Sequence, residues 1–212
     1  METTKAPPLS GRRAQAARND ELILAAAREV FVADPDAPIA AVAARAGVGI
    51  AALYRRYAGK EDLLRTLALD GLRRYIAAAE AALADGGDPW AAFAGFLRRV
   101  VDEDTHSLTL RLAGTFVPTD ELNREAERSF VLTERLFDRT RDAGVLRPGL
   151  AVGDLSLLFE QLASVRLGGE ARTCELRERY LALLLDALHA PLADPLPGAA
   201  PTWAEIGRRW EA

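Results

Sequence analysis

An all-α fold is what this sequence predicts, and three features predict it. Alanine and leucine dominate a chain that is 50% apolar, with few β-branched residues to favour strands. Apolar residues recur at helical spacing in segment after segment, each cut off by a cluster of glycine or proline. No hairpin signal and no internal repeat occurs. The expected architecture is an amino-terminal three-helix domain on a carboxy-terminal helical body, with about nine helices in all.

The elements follow in order. Residues 1–17 contain Pro7, Pro8, Gly11, Arg12 and Arg13 and read as a flexible basic arm. Over 18–33, Ile23, Ala26, Ala27, Val30 and Phe31 make an amphipathic helix, which "DPDAP" ends because proline cannot sit inside one. Pro38 is acceptable in the first turn of the next helix, over 39–45, with Asp36 or Ala37 as its cap. Ile39, Val42, Ala43 and Ala46 form its apolar face. Gly47 suits the left-handed residue that closes a helix, and a third helix runs from 50 to 57. After Gly59, Lys60 opens a long helix to 83.

The second half reads the same way. "DGGDP" precedes a helix over 89–104, with Trp90, Phe93, Phe96, Leu97 and Val100 inward. A short helix is expected over 106–114. Thr119 or Asp120 then caps a long one to 143, with Phe130, Leu132, Leu136 and Phe137 inward. Helices over 152–167 and 171–189 are joined by Gly168-Gly169. "APLADPLPGAAPTW" is an extended linker before a small helix over 203–210. The domains expected are an arm (1–17), an amino-terminal domain (18–64), a helical body (65–190) and a Pro-rich tail (191–212).

Net charge is −4, but unevenly spread. Residues 1–60 carry nine Lys/Arg against six Asp/Glu, a surplus of three, and the remainder carries a deficit of seven. A basic amino-terminal module on an acidic body fits a reader of polyanions. The single cysteine, Cys174, has no partner for an intramolecular disulfide. The start of the chain has no apolar core of a signal peptide, and no run approaches the roughly 20 apolar residues of a membrane span. A cytoplasmic protein with no membrane partner is expected.

The most informative stretch is "VAARAGVGIAALYRRYAGKEDLL", Val42 to Leu64. Two short helices joined by a tight glycine-containing turn form a helix-turn-helix, whose second helix fits the major groove of DNA. Gly49 and Ile50 stand where that helix reaches furthest, and Ala51 and Ala52 permit close approach. Tyr54, Arg55 and Arg56 offer phosphate or base-edge contacts, and Lys60 adds a charge at the next helix start. Val48 and Leu53 face inward; Tyr57 suits the core or a phosphate.

In this stretch the chain resembles the tetracycline-repressor (TetR) family of bacterial transcription regulators. Val42-Ala43, Ala46-Gly47-Val48-Gly49, Leu53-Tyr54, Arg56-Tyr57 and Lys60-Glu61-Asp62-Leu63 occupy that family's motif places in order. The resemblance covers about 23–64 and implies sequence-specific DNA binding, with repression as the default. It places the base readers at Ile50, Ala51 and Arg55. It places phosphate ligands at Ala52, Tyr54, Arg56 and Lys60, with Gly47, Val48, Leu53 and Tyr57 as support for the reading helix. Alanine at 52 stands where the family commonly has threonine, glycine at 49 where it has serine, and Ala37-Pro38 where threonines are usual. Arg12, Arg13 and Arg18 compensate for those lost hydroxyls. Arg55 is left with much of the direct base readout, worth about 1–3 kcal/mol if bidentate to guanine.

The resemblance also implies a homodimer and a small-molecule effector. The last two main helices are apolar over much of their circumference, and Leu155, Leu158, Phe159, Leu162, Leu181, Leu184 and Leu188 are the expected interface. Trp90, Phe93, Phe96, Leu97, His106, Leu110, Phe116, Phe130 and Phe137 are the expected pocket, suited to an apolar or aromatic molecule between helices. An enzyme is disfavoured. His106 and His189 are far apart, Cys174 has no nearby base, and Asp102 with His106 lacks a third metal ligand. No cofactor is expected. The alternative is a helical interaction module that has lost specific DNA binding.

Overall fold

The computed structural model describes residues 11–105, 112, 115–189, 194 and 196–208, with backbone alone for 11–17. Among them are nine helices and no strand. They are α1 (Gly11–Ala33), α2 (Ile39–Ala46), α3 (Ile50–Arg56), α4 (Lys60–Ala84), α5 (Pro89–Asp102), α6 (Asp120–Asp142), α7 (Val152–Ser164), α8 (Glu170–Leu188) and α9 (Trp203–Gly207). The all-α expectation holds. The chain divides into two compact units, Met1–Leu67 and Ala68–Ala212, and α4 contributes residues to both.

The first helix starts earlier than its apolar pattern suggests. It begins at Gly11 rather than 18, so the expected arm is helical from that residue on. Arg12, Arg13, Ala14, Gln15, Ala16 and Ala17 are all strong helix formers, and the first proline downstream is Pro35. Residues 1–10 lie outside the described residues, as does most of the short helix expected over 106–114.

In the first unit, Ile23, Ala27 and Phe31 form a buried row on α1, and Phe31 is fully enclosed. Ile39, Val42 and Ala43 of α2 and Leu53 of α3 are buried as well. Pro38 itself, rather than the expected Asp36 or Ala37, is the cap residue of α2, in extended conformation and without a side-chain hydrogen bond; its missing N–H is one that no helix start can use. Glu29 of α1 pairs with Arg45 of α2 across the surface.

The second unit has a larger core. It includes Ile76 and Ala79 of α4, Phe93, Phe96, Leu97 and Val100 of α5, and Leu132, Leu136 and Phe137 of α6. Leu155, Phe159 and Leu162 of α7, with Leu181, Leu185 and Leu188 of α8, complete it. The starts of α5 and α6 carry side-chain caps, the second at Thr119 as expected. Asp88 accepts from the Ala91 N–H at 2.7 Å with Pro89 in the first turn, and Thr119 accepts from Leu122 N–H at 3.2 Å. At the other end of α4, Arg139 donates to the carbonyls of Ala82, Leu83 and Gly87.

Polar side chains enter this core. Ser129, Thr133 and Thr140 of α6 are buried, and their hydroxyls donate to the carbonyls of Ala126, Ser129 and Leu136. They hold inner positions that hydrophobicity alone assigns elsewhere. Phe130, expected inward, is half-buried and stacks on Trp203 of α9 with ring centroids 4.4 Å apart. The Tyr75 hydroxyl meets Thr133 Oγ1 at 2.9 Å while its ring stands edge-on to Phe96. Burial pushes this phenol up to about 12, and the hydrogen bond with Thr133 works in the other direction.

Arg177 is the other buried polar group of note. Its guanidinium donates to Asp104 at 2.7 Å and to the carbonyls of Ala163 and Val165 at the end of α7. One side chain on α8 thereby satisfies helix-end carbonyls and a carboxylate just past α5. Asp104 itself has φ +50, a left-handed conformation that aspartate tolerates better than most residues.

The tail is not a free linker over its described part. Arg147 donates to the Asp194 carbonyl at 3.0 Å, and the Pro201 carbonyl crosses α7 at Gly153. A Cβ added at that glycine would lie 2.0 Å from the Pro201 oxygen, so only glycine permits the crossing.

Candidate nucleic-acid interface

The turn between α2 and α3 is built from backbone. Gly47 adopts φ +67, where an L-residue is strained, and its N–H donates to the carbonyls of Ala43 and Ala44. Val48 N–H returns to the Ala43 carbonyl at 3.0 Å, and its side chain is half-buried. Gly49 then enters α3 without a side-chain cap, consistent with the missing serine. At the far end Tyr57 N–H donates to the Leu53 carbonyl, and Ala58 N–H donates to Asp62 Oδ2 at 3.0 Å.

This geometry splits α3 into two faces. Leu53 is 0% exposed and Tyr57, one turn on, is 3% exposed, so the ring that suited either role is a core ring. Ile50 is 41% and Tyr54 53% exposed, and Ala51, Arg55 and Arg56 are exposed with them. Ala52 is half-buried. Lys60, also half-buried, holds its ammonium 5.4 Å from the centre of the Phe31 ring. Arg18 is exposed on α1, whereas of Arg12 and Arg13 only the helical backbone is described.

Arg56 is already engaged. Its Nε donates to both oxygens of Asp20 on α1, at 2.9 and 3.0 Å, and its guanidinium carbon lies 5.7 Å from the Tyr57 ring centre. The hydrogen bond and charge of Asp20 raise the Arg56 pKa, so its charge is permanent. Nothing in the sequence flags Asp20, which is 36 positions from its partner.

The expected effector residues are not all brought together. Phe93, Phe96, Leu97, Phe116 and Phe137 are buried, and the Phe93 and Phe137 rings meet edge to face at 6.3 Å. Trp90 is half-buried beside Phe93 and stacks on His189 with centroids 4.3 Å apart. Phe130 belongs instead to the tail contact with Trp203. His106 and Leu110 lie outside the described residues.

Most of the expected interface residues are packed within the chain itself. Leu155, Phe159, Leu162, Leu181 and Leu188 lie in the core of the second unit, because α7 and α8 turn their strongest apolar rows towards α5 and α6. Only Leu158 and Leu184 of the seven are half-buried, while Tyr180 and Leu183 on α8 are exposed. Among the described residues, no group of three His, Cys, Asp or Glu could hold a metal. Among them, too, no helix is long and apolar enough to cross a membrane.

Residues 23–67 match the sequence profile described as "Bacterial regulatory proteins, tetR family". A TetR transcriptional regulator from Streptomyces coelicolor is 26% identical with a TM-score of 0.59, covering 82% of this chain and 99% of its own. A TetR regulatory protein from Mycobacterium vanbaalenii is also 26% identical, with a TM-score of 0.57 over 84% of this chain and 98% of its own. The fold is shared with the TetR-like regulator LfrR of Mycobacterium smegmatis, solved in complex with proflavine. That protein is 23% identical with a TM-score of 0.56 over 79% and 96% of the two chains. No curated protein matches.

Proposed function

We propose, for a chain that belongs to the TetR family of DNA-binding transcription regulators, that α3 reads an operator and that a small molecule bound by the second unit releases it. The observation carrying this reading is the division of α3. Leu53 and Tyr57 anchor it, and Ile50, Ala51, Tyr54 and Arg55 are turned to solvent beyond a turn that Gly47 sets. Ile50, Ala51 and Arg55 meet base edges. Ala52 through its backbone, Tyr54, Arg56 and Lys60 meet phosphates, with Arg12, Arg13 and Arg18 adding charge from α1.

The reading domain spans 18–64 and the effector and dimerisation domain 65–190. Two copies present two reading helices to the half-sites of one operator, as a helix-turn-helix requires. The second copy packs on α7 and α8, where Leu158, Leu184, Tyr180 and Leu183 retain surface. The effector is apolar or aromatic, held among Trp90, Phe93, Phe96, Leu97, Phe116 and Phe137. Proflavine bound to the Mycobacterium smegmatis regulator supports that chemistry. Effector and DNA favour different conformations, so each weakens the other by the same factor.

Selection of duplexes from a random library, followed by mobility shift across salt concentrations, tests the reading. A preferred duplex with a steep salt dependence is expected, and proflavine or another aromatic compound that raises the melting temperature should release it. Equal affinity for all sequences at every salt concentration would overturn it.

A further inference from the structure

The pair between Asp20 and Arg56 puts a carboxylate at the edge of a surface meant for a polyanion. On charge alone that is a defect, since an acid there repels phosphate and competes for the arginine. The geometry suggests otherwise. Both hydrogen bonds to Asp20 leave from Nε of Arg56, and the guanidinium lies beside the Tyr57 ring, itself 3% exposed. A planar guanidinium has five N–H donors in a fixed fork, so fixing it at Nε fixes the direction of its two terminal nitrogens as well. An arginine at the end of a short helix otherwise has several rotatable bonds to immobilise on binding.

Asp20 has the means to do this. It sits on α1, whose buried row of Ile23, Ala27 and Phe31 is part of the first unit's core, and its own side chain is 27% exposed. Arg56 keeps 59% of its side chain exposed, so the pair holds the arginine without enclosing it. Exposed ion pairs contribute little to stability, about 0–1 kcal/mol, which leaves its effect on binding as the larger consequence.

We infer that Asp20 is a positioning residue for DNA recognition: it orients Arg56 through Nε and presents the terminal nitrogens to a phosphate. This rests on the assignment of α3 as the reading helix. The carboxylate's repulsion of DNA is outweighed by the ordering of the cation beside it.

The test uses the full chain, the duplex it selects from a random library, and an unselected duplex of equal length. Asp20→Ala should weaken binding to both by about tenfold, the loss of one well-oriented charge-assisted contact, and lower the salt slope by about one. Asp20→Asn keeps an oxygen that accepts from Nε and should stay within about twofold of the parent. In an Arg56→Ala background, Asp20→Ala should cause no further loss. A merely structural role would lower affinity in both backgrounds and lower the melting temperature of the free protein well beyond what an exposed pair contributes, and either result overturns the inference. Tighter binding by Asp20→Ala would also overturn it, showing that the carboxylate only repels and competes. A parent chain that selects no duplex overturns the reading-helix assignment itself. A parent that selects one, with Asp20→Ala binding it more tightly, removes the positioning role alone.

Discussion

The cores of the two units differ in the polar side chains they hold, although both units carry ion pairs at their surfaces. In the first, the core around Phe31, Val42 and Leu53 is apolar, and the ion pairs Arg45–Glu29 and Arg56–Asp20 lie at the surface. In the second, Ser129, Thr133, Thr140 and Arg177 are carried inside and satisfied there, and the half-buried Tyr75 bonds to Thr133. Surface pairs cost little to break and remain available to a ligand. Buried ones are expensive to break, because the abandoned partner cannot turn to water. The ion pairs of the first unit are therefore open to a ligand, and the second unit adds a specific polar arrangement inside its core.

The largest effect that would test this contrast is at Arg177. Arg177→Met keeps the apolar stem but leaves Asp104 without its guanidinium and the Ala163 and Val165 carbonyls without their donor. A loss of about 3 kcal/mol in denaturant unfolding is expected, the lower end for a broken buried pair because Asp104 is partly exposed. Arg45→Met in the first unit should cost under about 1 kcal/mol. Equal losses would erase the distinction between the units.

The same contrast explains what the sequence could reveal. In the first unit the punctuating residues act locally: Pro38, Gly47, Gly49 and Gly59 mark α2 and α3 within a residue or two, and period alone separates Leu53 from Tyr54. Only the start of α1 was hidden, since Arg12 to Ala17 carry propensity without an apolar period. In the second unit the helices were legible but their inner faces less so. Ser129, Thr133 and Thr140 occupy core positions because the helix supplies their acceptors, and Phe130 leaves for Trp203. Leu155, Leu162, Leu181 and Leu188 face partners from their own chain, which hydrophobicity cannot distinguish from partners in a second copy. Asp20 and Arg177 were invisible because each depends on a residue far away in sequence.

An intermediate effect comes from pH. Tyr75 is raised to about 12 by burial, against about 10 when the chain is unfolded. Below pH 10 both states keep the proton and stability is unaffected. Between 10 and 12 the unfolded chain releases its proton while the folded one does not, so stability falls, by roughly 2–3 kcal/mol in total. Tyr75→Phe should lose the alkaline fall that this group causes, seen as a flatter plot of unfolding free energy against pH over that window. An unchanged slope in the variant would mean that Tyr75 is not the group responsible.

The smallest effect on stability and the sharpest on function belong to α3 and the residue after its turn. Arg55→Ala removes an exposed side chain, so the melting temperature should hardly move, with a change within about 0.5 kcal/mol. Its cost should appear as about 1–3 kcal/mol of lost discrimination at one base position of the selected duplex, with other positions untouched. Lys60→Ala should instead weaken matched and mismatched duplexes alike and reduce the salt slope by about one, because a phosphate carries no sequence information. Lys60 also contacts the Phe31 ring, so its loss should lower stability slightly more than the loss of Arg55. If the two variants gave the same ratio of matched to mismatched affinity, the division of α3 and its flank into base readers and phosphate ligands would fail. The anchoring of α3 by Leu53 and Tyr57 would remain, and the outer face would then act as one undivided cationic patch.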